Sequence, residues 1–345
     1  MSVTTDILTV DRLRAYYQMN YFGIEREVRA VEDVTMRVKA NEVYGIAGES
    51  SSGKTSLIKV LAAAIRPPLR VLEGSVTYRF NGNPLDITRA AEEEIEAVRW
   101  RHLSYIMQGS MSVLNPVRRI GRIFEDFAFR PMGLKRDAFR AAVEAHLARL
   151  HLEPGVMNSY PHELSGGMRQ RVTIALATVC RPEFIIADEP TTALDVVVQK
   201  DVLAMIREVQ QALGSSVVFV THDMAVHASI ADRLAIVYAG RIVEEAPTRT
   251  IFTAARHPYT RHLVASLPRI GDTSPKPSLE GRPPSLAEPP PGCRFHPRCP
   301  IAIERCRKEV PILEEWPGEH RVACFRAHEA IPAGEILHLK RGSLQ

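Results

Sequence analysis

At 345 residues the chain exceeds one average domain, which favours one large domain with a smaller appendage. Hydrophobic residues make up 45% and charged residues 24%, the balance of a globular protein with a real core, and a net charge of +4 is too small to argue for a nucleic-acid partner. No uninterrupted apolar stretch approaches the roughly 18 residues that cross a bilayer. Met1 to Thr9 lacks the basic flank and long apolar segment of a secretory signal. The expectation is a cytosolic chain that reaches a membrane only through partners.

Residues 8 to 46 read as β-rich, with period-two alternation in Val34 to Val38 and a short apolar run, Val43 to Ala47, that reads as a buried strand. Next comes Gly48-Glu49-Ser50-Ser51-Ser52-Gly53-Lys54-Thr55, the phosphate-cradling pattern G-x-x-x-x-G-K-[ST], and Ser56 opens the first turns of a helix. The glycines let successive backbone N–H groups and the helix N-terminus face an anion. Lys54 can reach the outer phosphates of a nucleotide, and the Thr55 hydroxyl can ligate Mg²⁺. Nucleotide binding is the starting expectation.

Leu69 to Tyr78, followed by Asn81-Gly82-Asn83-Pro84, suggests a strand and hairpin. From about 109 to 178 the chain turns helical, and Phe139, Val143, Leu147 and Leu150 share one face of a helix that stops near Pro154-Gly155. Phe184-Ile185-Ile186-Ala187 is a buried strand that delivers Asp188 and Glu189 to its C-terminal edge, where ligands bind in open α/β sheets. Asp188 is suited to hold Mg²⁺ and Glu189 to polarise the attacking water. Val196 to Leu213 reads as a helix and Val217 to Val220 as a further strand. The fold class expected is α/β: a P-loop core with a mostly parallel sheet, an antiparallel β flank, a helical insertion and a C-terminal cysteine-containing extension.

Leu164-Ser165-Gly166-Gly167-Met168-Arg169-Gln170-Arg171 is by itself an ordinary capped helix start. L-S-G-G followed by Q-R, between a phosphate loop and an acidic strand, resembles the signature of ATP-binding cassette proteins. The resemblance covers residues 7 to 270 and implies roles for other positions. Gln108 resembles the family's Gln-loop residue, which touches Mg²⁺ and senses the membrane partner. Ala193-Leu194-Asp195 resembles the D-loop that bridges two nucleotide sites. His222 resembles the switch histidine that contacts the γ-phosphate. Tyr17, with Tyr16 as the alternative, is placed like the aromatic that stacks on adenine.

Leu114-Asn115-Pro116, Tyr238 to Glu245, Arg256-His257-Pro258-Tyr259-Thr260 and the tail from Pro289 to Pro300 look like the oligopeptide/dipeptide importer branch. Two departures stand out. Gly109-Ser110-Met111 replaces the branch's Asp-Pro-Met and touches the transmembrane contact, and Ser51 stands where a third loop glycine is common. The branch implies an ATPase that pairs with a second cassette, expected to be a paralogue, on two transmembrane permeases at the cytoplasmic face of the cell membrane, served by an extracytoplasmic substrate-binding protein. Peptide cargo is expected, with oligosaccharides or a nickel chelate as alternatives. A DNA-repair or translation ATPase would carry a long coiled-coil insertion or two cassettes, and the sequence has neither.

The ATP-binding domain is expected over 1–270, with its helical part at 109–178, and a proline-rich linker with a four-cysteine module over 271–345. Nine of the 24 prolines fall between Pro275 and Pro300. Cys293, Cys299, Cys306 and Cys324 follow no common zinc or ferredoxin spacing, yet a short module with little core needs a staple. Similar tails in the branch imply a four-iron [4Fe-4S] cluster. Zinc with His296 or His320, and thiols packed as small apolar groups, are the alternatives. Either way the module is expected to stand apart from the ATP chemistry. Cys180 reads as a buried structural thiol.

Overall fold

A computed structural model of the chain describes residues 6–107, 109, 114–192, 194–267 and 279–329. Its strands are β1 (Asp6–Tyr21), β2 (Ile24–Lys39), β3 (Val43–Ala47), β4 (Leu69–Phe80), β5 (Asn83–Asp86), β6 (Leu103–Ile106), β7 (Phe184–Asp188), β8 (Ser216–Val220), β9 (Arg233–Tyr238), β10 (Arg241–Pro247), β11 (Glu314–Trp316) and β12 (His320–Val322). They form two sheets. The first, ordered β2-β1-β4-β5, is antiparallel throughout. The second is ordered β11-β12-β10-β9-β3-β8-β7-β6; β9, β3, β8, β7 and β6 run parallel, and β10, β12 and β11 continue it antiparallel. Every residue of β3, β7 and β8 is buried, which explains their unbroken apolar runs: a parallel strand is covered on both faces.

The helices are α1 (Lys54–Leu61), α2 (Glu92–Val98), α3 (Ile120–Met132), α4 (Arg136–Arg149), α5 (Gly166–Thr178), α6 (Val196–Leu213), α7 (Met224–Ile230), α8 (Thr248–Ala254), α9 (Pro258–Ala265) and α10 (Glu304–Lys308). The face expected on α4 is the one that packs: Phe139, Val143, Leu147 and the following Leu150 join Phe124 of α3 and Val172 of α5 in one apolar cluster. That cluster continues through Ile185 and Phe219 into the central sheet, so the helical region is fastened to the strands that carry the acids. A second cluster wraps α1 between the two sheets, burying Leu57, Ile58 and Leu61 against Val10, Met36 and Ile186.

The tail joins the core directly. β12 pairs with β10 through Glu244↔Val322 and Glu245↔Arg321, extending the sheet that holds the phosphate loop. Phe295 is fully buried, with ring centroids 5.1 Å from Tyr238 and 5.5 Å from Tyr259. Even the proline-rich segment is tied down where it is described, the Arg29 N–H donating to the Leu286 carbonyl at 2.8 Å. Among the described residues no helix is long and apolar enough to cross a membrane.

Candidate functional site

The adjacent parallel strands β3, β8 and β7 deliver three loops to one edge of the sheet: Gly48 to Thr55, Thr221-His222 and Asp188-Glu189. Glycine is required at both ends of the first loop. Gly48 has φ +154°, and a Cβ there would lie 2.2 Å from the Val237 carbonyl oxygen. Gly53 has φ +98°, and a Cβ would lie 2.0 Å from that of Ala30. Ser51 adopts φ +63° without being glycine, so the missing third glycine is replaced by a strained serine. The loop is tied at two further points. The Gly240 N–H donates to the Ser52 carbonyl at 2.7 Å, and the Glu49 N–H donates to Tyr259 Oη at 2.8 Å.

Lys54 is buried and folds back over its loop, Nζ donating to the carbonyls of Gly48 and Glu49 at 2.8 Å each. Burial pulls its pKa down, opposed by the charges of Glu189, Asp188 and Glu49. A bound phosphate would be a stronger partner for this ammonium than neutral carbonyls. Thr55 is exposed in the first turn of α1, and Ser50 and Ser51 are exposed on the loop, while Ser52 is buried. The Ser56 hydroxyl donates to Tyr17 Oη at 3.2 Å, and Lys59 Nζ lies 6.0 Å from the centre of the Tyr17 ring. Tyr16 instead points inward. Its hydroxyl donates to Glu32 at 2.8 Å and is pushed up to about 12 by burial and by that carboxylate. Of the two tyrosines, Tyr17 therefore sits beside the phosphate-loop helix.

Asp188 is 2% exposed, and burial raises its pKa; a hydrogen bond from Tyr105 Oη at 3.1 Å works the other way. Glu189 has φ +50°, an unusual conformation for a glutamate, and both of its carboxylate oxygens are engaged. Oε1 is 2.7 Å from His222 Nδ1 and accepts the His222 N–H at 3.2 Å, while Oε2 accepts from Thr192 Oγ1 at 2.8 Å. The His222 side chain is 66% exposed, free to meet a ligand from the Glu189 side.

Ser165 caps α5, its hydroxyl accepting the Met168 N–H at 3.2 Å, and Gly166 leaves the cap open. Gly167 lies where a Cβ would meet Val198 of α6 at 3.5 Å. Asp195 caps α6, accepting from Val197 and Val198, and like Ser165 it is exposed. Among the described residues, the side chains of these two caps bond only within their own helices. Gln108, Ala193 and Met111 lie outside the described residues.

Cys293, Cys299, Cys306 and Cys324 line one small cavity with His257 and His296, and none is in a disulfide. Burial pushes the Cys293 and Cys324 thiols up to about 11 and Cys299 to about 12. Among the described residues, no group of three or more His, Cys, Asp and Glu side chains is arranged to hold a metal ion as it stands. The donor set suits a soft metal or cluster, because thiolates buried together need a cation to stay ionised. His320 is committed elsewhere, with Nε2 2.7 Å from Glu244 Oε1. Cys180 is partly buried and raised to about 11 by that burial.

Two contacts at this site escaped the sequence reading. Tyr105 on Asp188 joins positions 83 apart, and Arg298 on Glu49 joins positions 249 apart. No local pattern encodes either.

A phosphate loop, a strand-end carboxylate pair and a histidine on the neighbouring strand define a P-loop nucleotide-binding protein. Residues 31–192 match the family described as ABC transporter, and residues 243–306 match the oligopeptide/dipeptide transporter, C-terminal region. The chain is 38% identical to a dipeptide transport ATP-binding protein of Caldanaerobacter subterraneus, over 94% of this chain and 98% of that one. It is 38% identical to an oligopeptide transport ATP-binding protein of Escherichia coli, over 88% and 90%. A solved dimeric ATP-binding cassette in a post-hydrolysis state, bound to ADP and Pi, shares the fold with TM-score 0.59 and 24% identity, over 70% of this chain and 99% of that one. The chain belongs to the ATP-binding cassette transporter family, in its oligopeptide/dipeptide branch, whose ATP-binding subunits hydrolyse ATP to drive transport.

Proposed function

We propose that this chain is the ATP-hydrolysing subunit of a peptide importer, with the convergence of Lys54, Asp188, Glu189 and His222 on one sheet edge as the observation that carries the reading. Backbone N–H groups of residues 48 to 55 and the Lys54 ammonium cradle the phosphates, and Tyr17 supports the adenine. Thr55, Asp188 and Gln108 would hold Mg²⁺, which neutralises charge on the outer phosphates. Glu189, fixed at both oxygens, orients the attacking water and accepts its proton, and His222 adds a contact to the transferred phosphoryl group. Ser165, Gly166, Gly167 and Asp195 complete the site of a second cassette, a paralogue in this reading.

The permease pair would dock on the apolar groove of about 680 Å³ walled by Ile65, Trp100, Met107, Leu114 and Phe127. The substrate-binding protein stands across the membrane, and this subunit sits on the cytoplasmic face. Thiolates of Cys293, Cys299, Cys306 and Cys324 would hold a [4Fe-4S] cluster, with zinc as the competing occupant; four cysteines on one cavity support this.

The test of the ATPase reading compares two variants in the assembled transporter. Glu189→Gln should lower turnover by about a hundredfold or more while ATP still binds. Lys54→Ala should weaken ATP binding itself. Full steady-state ATPase in Glu189→Gln would overturn the assignment.

A further inference from the structure

The cysteine module reaches into the phosphate loop through one side chain. Arg298 ends the short turn His296–Arg298 that leads into Cys299, and its guanidinium grips the Glu49 carboxylate with both arms, Nη1 to Oε2 at 2.7 Å and Nη2 to Oε1 at 3.1 Å. Arg298 is itself pinned. Nη1 also reaches Tyr238 Oη at 3.3 Å, Nε donates to the Glu280 carbonyl at 3.2 Å, and the guanidinium lies over the Tyr238 ring at 5.8 Å. Its side chain is 6% exposed and that of Glu49 is 25% exposed, so the pair is largely removed from water, where a charge–charge contact counts for more. The Glu49 main chain is held from the same quarter by Tyr259, which packs against Phe295 of the module.

Glu49 is the second residue of a loop that must receive a polyanion, and its charge is felt by Lys54 together with those of Asp188 and Glu189. A third carboxylate beside phosphates opposes binding unless a cation answers it. We propose that Arg298 is a positioning residue of the nucleotide site: it neutralises Glu49 and holds it off the phosphates, so the fold of the cysteine module sets the affinity of a loop 249 positions away in the sequence. The inference rests on reading residues 48 to 55 as the ATP loop. It also replaces the expectation that the module stands apart from ATP chemistry.

Equilibrium titration of the purified full-length chain with MgADP tests it. Arg298→Gln should weaken binding about tenfold, the scale of an ordinary coupling between sites. Adding Glu49→Gln to that variant should restore affinity to within about threefold, because the unanswered charge is gone, whereas a simple staple between core and tail would not be rescued by cutting its other half. Arg298→Lys, which keeps the charge and loses the fork, should fall between. Should Arg298→Gln fail to fold, Arg298→Lys with and without Glu49→Gln reads the same rescue. Unchanged affinity in the Arg298 variants, or a double variant as weak as the single, overturns the proposal. Absence of MgADP binding in the unmutated chain, or binding indifferent to Lys54→Ala, would instead overturn the reading of the loop.

Discussion

Tyr105 Oη donates to the Asp188 carboxylate across 3.1 Å, linking the end of β6 to the end of β7. The same tyrosine lines the groove walled by Trp100 and Phe127. One side chain thus touches both the proposed permease surface and the proposed Mg²⁺ carboxylate. Its hydroxyl is pushed well above the ordinary tyrosine value by burial and by Asp188, so it stays a donor at any working pH.

Tyr105→Phe keeps the ring in the groove and deletes the donor. Because the hydrogen bond lowers the pKa of Asp188 against the desolvation that raises it, its loss should move the acid limb of the ATPase pH profile to higher pH. Turnover on the alkaline plateau should stay within about threefold of the unmutated protein, one hydrogen bond's worth. A pH–rate profile checks this, and an unmoved acid limb would count against Asp188 as the group that must be ionised.

Asp188→Asn should stabilise the nucleotide-free protein at neutral pH. Burial raises the folded-state pKa of this acid, so its favourable contribution is present below the unfolded value and is lost as pH rises through the folded one. At pH 7 the fold carries the full cost of a buried carboxylate, and asparagine removes it. Thermal melting should show a gain at pH 7 that shrinks towards pH 4, with Mg²⁺-dependent ATPase abolished.

Gly53→Ala should cost about 3 kcal/mol or more, since both its backbone angle and the nearby Ala30 carbonyl forbid a Cβ. Ser51→Gly should stay within about 1 kcal/mol, relief of a left-handed serine being offset by a looser unfolded chain. Denaturant titrations of the two variants measure the contrast.

Protein purified anaerobically should contain iron and sulfide and absorb as a brown cluster, and Cys299→Ser should lose both. Stoichiometric zinc, or no metal, would reject the iron–sulfur occupant. The raised pKa values of Cys293, Cys299 and Cys324 also predict slow alkylation of these three thiols near neutral pH once any occupant is removed.

The phosphate loop, the acidic strand end and the capped glycine helix were legible because each is a local pattern whose residues are contiguous. β3, β7 and β8 were legible because burial on both faces writes an unbroken apolar run. β11 and β12 were not: each spans three residues, and Glu314, Glu315 and Arg321 carry no apolar alternation. β12 pairs because β10 already offers an open edge, and β11 pairs on β12, tertiary facts with no local trace. The same holds for the choice between Tyr16 and Tyr17. Adjacent residues in a strand face opposite ways, and only the placement of Glu32 and α1 decides which tyrosine is which.

The pairing of β12 with β10 has a practical side. Without it, β10 would end the sheet with a row of unanswered N–H and C=O groups, an invitation to pair with any passing strand. Glu245, fully buried between Arg233 and Arg321, would at the same time lose one of its two cations. A cassette cut after residue 270 to obtain a minimal ATPase would therefore be sticky before it was inactive. Aggregation of such a fragment would report on an uncovered edge, not on the nucleotide chemistry it was made to study.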